Sequence, residues 1–542
     1  MPEILSTNLK SDLNRLFLEE SRANEDYYLF VSSIGPFDPS DSLFSKNEFL
    51  EKTLFGKKIS SNDMHYMIKY YPWQKGLVFE EYDDQIDLTG VKFYAVVGPN
   101  DNDTGDYRVY KCLNNNDRTV VSNPPNWAET TPNQIYETAD GYVWKFMYKL
   151  TDLQFEAYNA VGYIPLLDDY VIDPPVSTGS QVSDILVVNP NDNFGYREER
   201  GALVGSPYSN GIIIVDPSTV VSPTTNYYTG QYLITTNPDG VTTRIFKITY
   251  YFYNKNTGNA QIRVDGELIT GASNPVAAGV TQNASWKITP EVKIEGDGTG
   301  AIGIPNIVDS QIRSIQLIEP GTGYHNITVT VTDPRVDFRP GASGSDEVRC
   351  ILRARLTPDG GHGYNFIDEF KCKHFLFYAY VTANDNTQIG DSNTYTGVGI
   401  VKEPIFHDTA PIIFDNRIAI TTDDIDKVSA NTVLTQLSSG NKVTFSGVVH
   451  AVDEDNNTFY LAEYMGPYPN NSATGDGDTS LDLTLPLRNI TGQTITINSP
   501  VGDNTVMSIY QQRSGEVYFM ENFFPLARTD LSREEFKFVL EL

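Results

Sequence analysis

The sequence predicts a mainly β, multi-domain protein: an antiparallel β-sandwich scaffold with one short N-terminal helix and two β insertions. Three observations carry that prediction. Short runs rich in Val, Ile, Thr, Tyr and Phe recur along the chain, often at the period of two that marks a strand with one buried face. They are separated by clusters such as Gly98-Pro99-Asn100-Asp101 and Asn123-Pro124-Pro125-Asn126, the residue types that turns require. With 41 Gly and 30 Pro in 542 residues, long helices have little uninterrupted room, and an aromatic content of 12% argues for packed cores instead of disorder.

The elements follow in order. Leu9, Leu13, Leu16 and Phe17 recur at helical spacing with polar residues between them, which predicts an amphipathic helix. Asp26 to Ser33 is aromatic and apolar and is stopped by Gly35-Pro36, so a strand comes next. The turn signal Asp140-Gly141 then launches a strict alternation. Tyr142, Trp144, Phe146, Tyr148 and Leu150 are expected on one face, Lys145 and Lys149 on the other. Such a stripe serves either as core and subunit interface or as a sugar-stacking platform, and core packing is the commoner use. Residues 1–170 form this first block.

A boundary near Asp173-Pro174-Pro175 opens an inserted β module, 171–358, with strands at Gly211 to Val215, Thr243 to Phe252, Ala260 to Val264, Ile312 to Ile318 and Ile327 to Val331. Scaffold strands resume over 359–404, led by Phe375 to Val381. A second, smaller β insertion spans 405–513, with strands at Lys442 to Val449, Thr458 to Leu461 and Thr494 to Ile497. Scaffold strands close the chain over 514–542. There Gly515 opens a strand whose period-two sets are Val517 with Phe519 and Tyr518 with Met520. Phe536 to Leu542 alternates as a last strand tied into a sheet.

Charge and cysteine usage narrow the function. A net charge of -30, from 70 acidic against 40 basic residues, repels a phosphate backbone. Lys57-Lys58 and Lys371-Cys372-Lys373 are too short to reverse that, so neither nucleic acid nor an anionic membrane is expected as a partner. Cys112, Cys350 and Cys372 are widely spaced, without a Cys-x-x-Cys pair, which points to a reduced environment. The N-terminal residues lack a secretory pattern, and no apolar run reaches the ~18–20 residues of a spanning helix.

Motifs for chemistry are few. Gly298-Thr299-Gly300-Ala301-Ile302-Gly303 fits the literal dinucleotide fingerprint, but a β run follows where a helix is needed, so it reads as a glycine turn with no cofactor. Gly360-Gly361-His362-Gly363 reads as a backbone bend, since no nucleophile elbow accompanies it. The six His lack metal-ligand spacing, and the loops Asp101 to Asp106 and Asp476 to Asp478 lack the closing Glu of a calcium loop. Asp83-Asp84, Asp168-Asp169 and Asp423-Asp424 are adjacent on the chain, which on a strand turns them to opposite faces. Neither catalytic nor metal residues are assigned.

Several stretches resemble one family. Ala139 to Leu150, with its Asp-Gly-Tyr-Val-Trp core, and Ser514 to Asn522, Ser-Gly-Glu-Val-Tyr-Phe-Met-Glu-Asn, are similar to the baseplate wedge subunit, gene product eight, of T-even-type contractile-tailed phages. Met64-His65-Tyr66-Met67, Val109 to Leu113 and Gly397 to Pro404 match in the same order. The resemblance covers about half of the chain and leaves the long middle without a counterpart. It implies a non-enzymatic virion protein of the tail baseplate, assembled in the host cytoplasm, a homodimer docked on other wedge proteins. Tyr142, Trp144, Phe146, Tyr148, Tyr518, Phe519 and Met520 would serve there in packing or interfaces. The rival is a tail-associated carbohydrate-binding or carbohydrate-cleaving protein.

Overall fold

A computed structural model describes residues 7–24, 26–33, 42–101, 105–125, 135–167, 180–209, 212–215, 229–254, 256, 259–269, 278–333, 349–382, 395–406, 409–438, 440–465, 481–483, 485–500, 510–511, 513–522 and 533–541. It is mainly β, with 49% of residues in strands and 10% in helices, and its sheets are antiparallel. The predicted loop at Asp476 to Asp478, the middle of Asp101 to Asp106 (102–104), and Asp168-Asp169 lie outside the described residues. The chain divides into two compact units, one of residues 1–70, 153–168 and 372–542, the other of residues 71–152 and 169–371. Residues 1–170 thus contribute to both.

In the first unit, described strands form three sheets. One has the order Ile413–Asp415, Thr53–Lys58, Tyr27–Ser32, Gly397–Lys402, Glu516–Asn522. Tyr27–Ser32 is buried along its whole length because it is central in this sheet and both its faces are covered, Tyr27 by Phe17 and Phe377 and Phe30 by Phe414 and Tyr510. A second sheet has the order Glu534–Glu541, His374–Val381, Met64–Lys69, Tyr163–Leu166, and its first pair runs in register from His374 with Glu541 to Val381 with Glu534. The third, between residues 418 and 500, folds around Leu434, Phe445, Phe459 and Leu461. Phe406 bridges Tyr510 and the Ile405 amide donates to Ser514 Oγ at 2.9 Å, and the chain between them gives Ile413–Asp415 to the first sheet before the third sheet starts at Ile418.

The helix is Thr7–Asn24, but its leucines do not form the buried side. Leu9, Leu13 and Leu16 are exposed, Leu16 at 58%, whereas Ser11, Asn14, Leu18 and Ser21 are buried. The reason is polar. Asn14 Nδ2 donates to the carbonyls of Cys372 and His374, each at 3.2 Å, bonds that a leucine could not make. Phe17 alone of the predicted apolar set packs inward, stacked on Tyr518 with ring centroids 5.4 Å apart.

In the second unit, a four-stranded sheet has the order Tyr94–Val97, Tyr107–Asn114, Val143–Leu150, Ile135–Glu137. The 171–358 segment, predicted as an inserted β module, holds a closed barrel, Glu199–Ser209, Ile212–Val215, Asn259–Glu267, Thr243–Asn254, Tyr232–Thr236 and Ser285–Thr289. Closure removes the free edges that an open sheet would leave. Three two-stranded ladders from the chain on either side of the barrel share one core around Val182, Tyr196, Ile312 and Tyr324. Gly298 to Gly303 enters the ladder Thr299–Val308 with Gln311–Thr322, a strand in place of the helix a pyrophosphate site needs. Gly298 is required there because a Cβ would lie 2.4 Å from the Tyr324 ring.

Candidate functional site

The two signature strands are both interrupted by a bulge, and the bulges redistribute the predicted residues. Opposite Tyr107–Asn114, Val109 pairs with Tyr148 and Tyr110 with Phe146, leaving Met147 as an extra residue. One extra residue shifts everything beyond it to the other face. Tyr142, Trp144 and Phe146 accordingly share a core with Trp73, Phe79, Tyr110 and Cys112, while Tyr148 is turned to the opposite side, against Phe366 and Phe370. The expectation of one shared face is therefore corrected for Tyr148. All four side chains are buried.

The same correction applies near the C-terminus. Ile400 pairs with Phe519 and Val401 with Val517, so Tyr518 is the bulged residue. Val517 and Met520 now share a core with Phe30, Phe49 and Phe414, in place of the predicted Val517 with Phe519 and Tyr518 with Met520. Tyr518, partly buried, stacks on Phe17 and meets Tyr27 edge-on, and Phe519 meets Phe538. The flanking chain is tight: a Cβ on Gly399 would lie 2.5 Å from the Phe519 carbonyl.

Packing around Trp144 is specific. Tyr142 stacks on it at 5.4 Å, Phe79 meets it edge-on at 5.5 Å, and Tyr142 Oη donates to the Thr119 carbonyl at 2.5 Å. The indole Nε1 is buried and has no hydrogen-bond partner among the described residues. In the turn ahead, Asp140 accepts from the amides of Ser122 and Asn123 at 2.7 and 3.1 Å. Burial pushes that carboxyl up, and these bonds with the Thr138 hydroxyl outweigh it and hold its pKa below the usual range. Gly141, at φ +80°, is held to glycine by Asn116, whose Nδ2 would stand 2.6 Å from a Cβ.

The opposite face of this sheet carries the chief concentration of titratable groups. Lys111 and Lys145 stand directly opposite each other on neighbouring strands. Lys111 Nζ contacts Glu369 Oε2, both side chains fully buried, and lies 4.2 Å from the centre of the Tyr82 ring. The Gly363 amide donates to Glu369 Oε1 at 2.6 Å. Tyr82 also packs on His362 and donates to Asp84, which pairs with Lys371 at 2.8 Å. Asp83 turns away to Arg353, so the adjacent carboxylates serve separate ion pairs and form no dyad.

Burial, with the Lys111 charge beside it, pushes the Lys145 pKa down to about 8 against the pull of Glu369. Burial likewise lowers Lys111 despite Glu369, and burial with both lysines holds His362 well below its ordinary value. A near-neutral amine is what a catalytic lysine needs. Here, however, Lys111 and Glu369 are sealed from solvent and Lys145 is 3% exposed, which leaves a substrate no approach. The arrangement acts as an internal clamp between the sheet and residues 360–371. The glycines of 360–363 made that segment visible as a bend, with φ of +84°, +92° and +88° at Gly360, Gly361 and Gly363, but no sequence signal linked it to Lys111 and Lys145.

Among the described residues no three His, Cys, Asp or Glu side chains gather as a metal site, the three cysteines are buried and free, and no helix is long and apolar enough to cross a membrane. No protein-family model matches this chain, and no curated protein matches it.

Proposed function

We propose that the chain is a structural subunit of a contractile phage tail, a baseplate wedge component that joins neighbouring proteins and moves as a rigid body when the baseplate rearranges. The observation that carries this reading is the collinear set of wedge-like segments. They centre on the strands Met64–Lys69, Tyr107–Asn114, Val143–Leu150, Gly397–Lys402 and Glu516–Asn522, with the Asp140-Gly141 turn attached to the third, so the resemblance falls mainly on scaffold strands. The last two, far apart in sequence, pair with each other from Gly397 with Asn522 to Lys402 with Glu516. Between them the chain gives Ile413–Asp415 to the same sheet, folds residues 418–500 as a sheet of their own, as an added module would, and returns at the Phe406–Tyr510 bridge.

Self-association and docking belong to the same proposal. The exposed Leu13 and Leu16 on the N-terminal helix offer an apolar row of the kind that protein contacts cover. In a two-fold dimer the row would meet its own copy. Labelling a tagged chain in intact particles with gold tests the assignment: label at the distal plate of the tail is expected, and label confined to the head or shaft sinks it. Light scattering tests the dimer, whose mass should halve in Leu13→Asp/Leu16→Asp.

A further inference from the structure

The barrel carries an aromatic surface that no part of the wedge reading uses. Asn259–Glu267 lies between Thr243–Asn254 and Ile212–Val215. Ile262 pairs with Ile213 and with Tyr251, and all three are buried in the barrel core. Alternation turns the flanking residues outward. Arg263 lies between Ile212 and Tyr250 in one row, and Gln261 pairs with Phe252 in the next.

Together Ile212, Tyr250, Phe252, Gln261 and Arg263 line a hollow of about 420 Å³ on the outside of the wall. Tyr250 is 51% exposed and Phe252 44%. Among the described residues, the side chains of Tyr250, Phe252, Gln261 and Arg263 make no hydrogen bond, ion pair or ring contact. A guanidinium without a carboxylate partner among the described residues is unexpected in a chain with 70 acidic residues. Two free rings two residues apart, about 6.7 Å along the strand, thus stand beside an amide and a guanidinium with unused donors.

We propose that this hollow binds a saccharide chain. The apolar faces of successive sugar rings would lie on Tyr250 and Phe252, while Gln261 and Arg263 would bond their hydroxyl or carboxylate oxygens. An apolar partner would leave those two polar groups desolvated and unpaired, at a cost to binding. The proposal is one of binding alone: the five lining residues include no carboxylate, and the usual glycoside hydrolase uses two.

Calorimetric titration of the full chain with xylohexaose, chitohexaose and hexagalacturonate tests the proposal. At least one oligomer should bind, and Tyr250→Ala/Phe252→Ala should weaken it about tenfold or more. Arg263→Ala should also weaken it, most for hexagalacturonate and in a salt-sensitive way. Both variants replace exposed side chains, so an unchanged melting midpoint verifies that the fold is kept. Failure of all three oligomers to bind at millimolar concentration overturns the proposal, as does binding indifferent to both variants. If the double substitution instead turns a dimer into a monomer by light scattering, the face is a self-contact and the saccharide site is rejected. A chain found outside the tail baseplate would remove the wedge reading and leave this site standing.

Discussion

Strand Val143–Leu150 and strand Thr243–Asn254 are both rich in aromatic residues and have opposite fates. In the first, Tyr142, Trp144 and Phe146 face a core, and the other face is covered as well, by Phe366, Phe370 and the Lys111–Glu369 pair. In the second, Tyr251 is inside the barrel while Tyr250 and Phe252 stand in solvent. Alternation reports that a residue run is a strand. Which faces are covered depends on segments distant in sequence, here residues 360–371, which cover one ribbon and not the other.

That contrast can be broken most severely at the covered ribbon. Glu369→Ala strands the buried Lys111 ammonium and is expected to cost about 3–5 kcal/mol in denaturant unfolding. Lys111→Met/Glu369→Leu should recover most of that loss, and an additive loss would show that the pair is not a unit. Trp144→Ala should cost a similar ~3–5 kcal/mol, and Trp144→Phe much less, since the indole N–H has no partner among the described residues to lose. An unchanged midpoint in Trp144→Ala would refute the packing described.

A smaller effect is set by pH. Lys145 has its folded pKa near 8, below that of an unfolded lysine, so between about pH 8 and 10.5 the unfolded chain holds the extra proton. Stability should therefore rise as pH increases through that window, by roughly 2–3 kcal/mol from this group. Below the window the protonated amine stays buried and the penalty is constant. Lys145→Met should flatten the profile, and a wild-type slope retained in that variant would exclude Lys145 as its source. Smallest of all, Tyr250→Ala on the exposed ribbon should change stability by no more than about 0.5 kcal/mol, measured in the same unfolding experiment. A loss like that of Trp144→Ala would erase the distinction between the ribbons.

Strand identity was legible because it is local. Asp26 to Ser33, Thr243 to Phe252 and Phe536 to Leu542 announce themselves by residue type and turn punctuation, and strands stand at each. Facing was legible only up to the first bulge. Met147 and Tyr518 look like ordinary strand residues, and only the register of a partner strand shows that they are extra. The N-terminal helix misled for a related reason. Its leucines mark the stripe expected to be buried, but open sheet carbonyls at Cys372 and His374 select Asn14, and the leucines turn outward. Barrel closure and the Lys111–Glu369 clamp join residues too far apart in sequence for any periodicity to register.

The pairing of Tyr27–Ser32 with Gly397–Lys402 bears on how the protein is made. When this apolar-aromatic strand leaves the ribosome, one of its two sheet neighbours is still several hundred residues from synthesis, tens of seconds at about 5–20 residues per second. Through that interval Tyr27, Tyr28, Leu29, Phe30 and Val31 can complete only the hairpin with Thr53–Lys58, leaving one edge open to foreign strands. Nascent chains should consequently depend on a holding chaperone until residue 402 has been synthesised, and truncations ending before it should aggregate where the full chain stays dispersed.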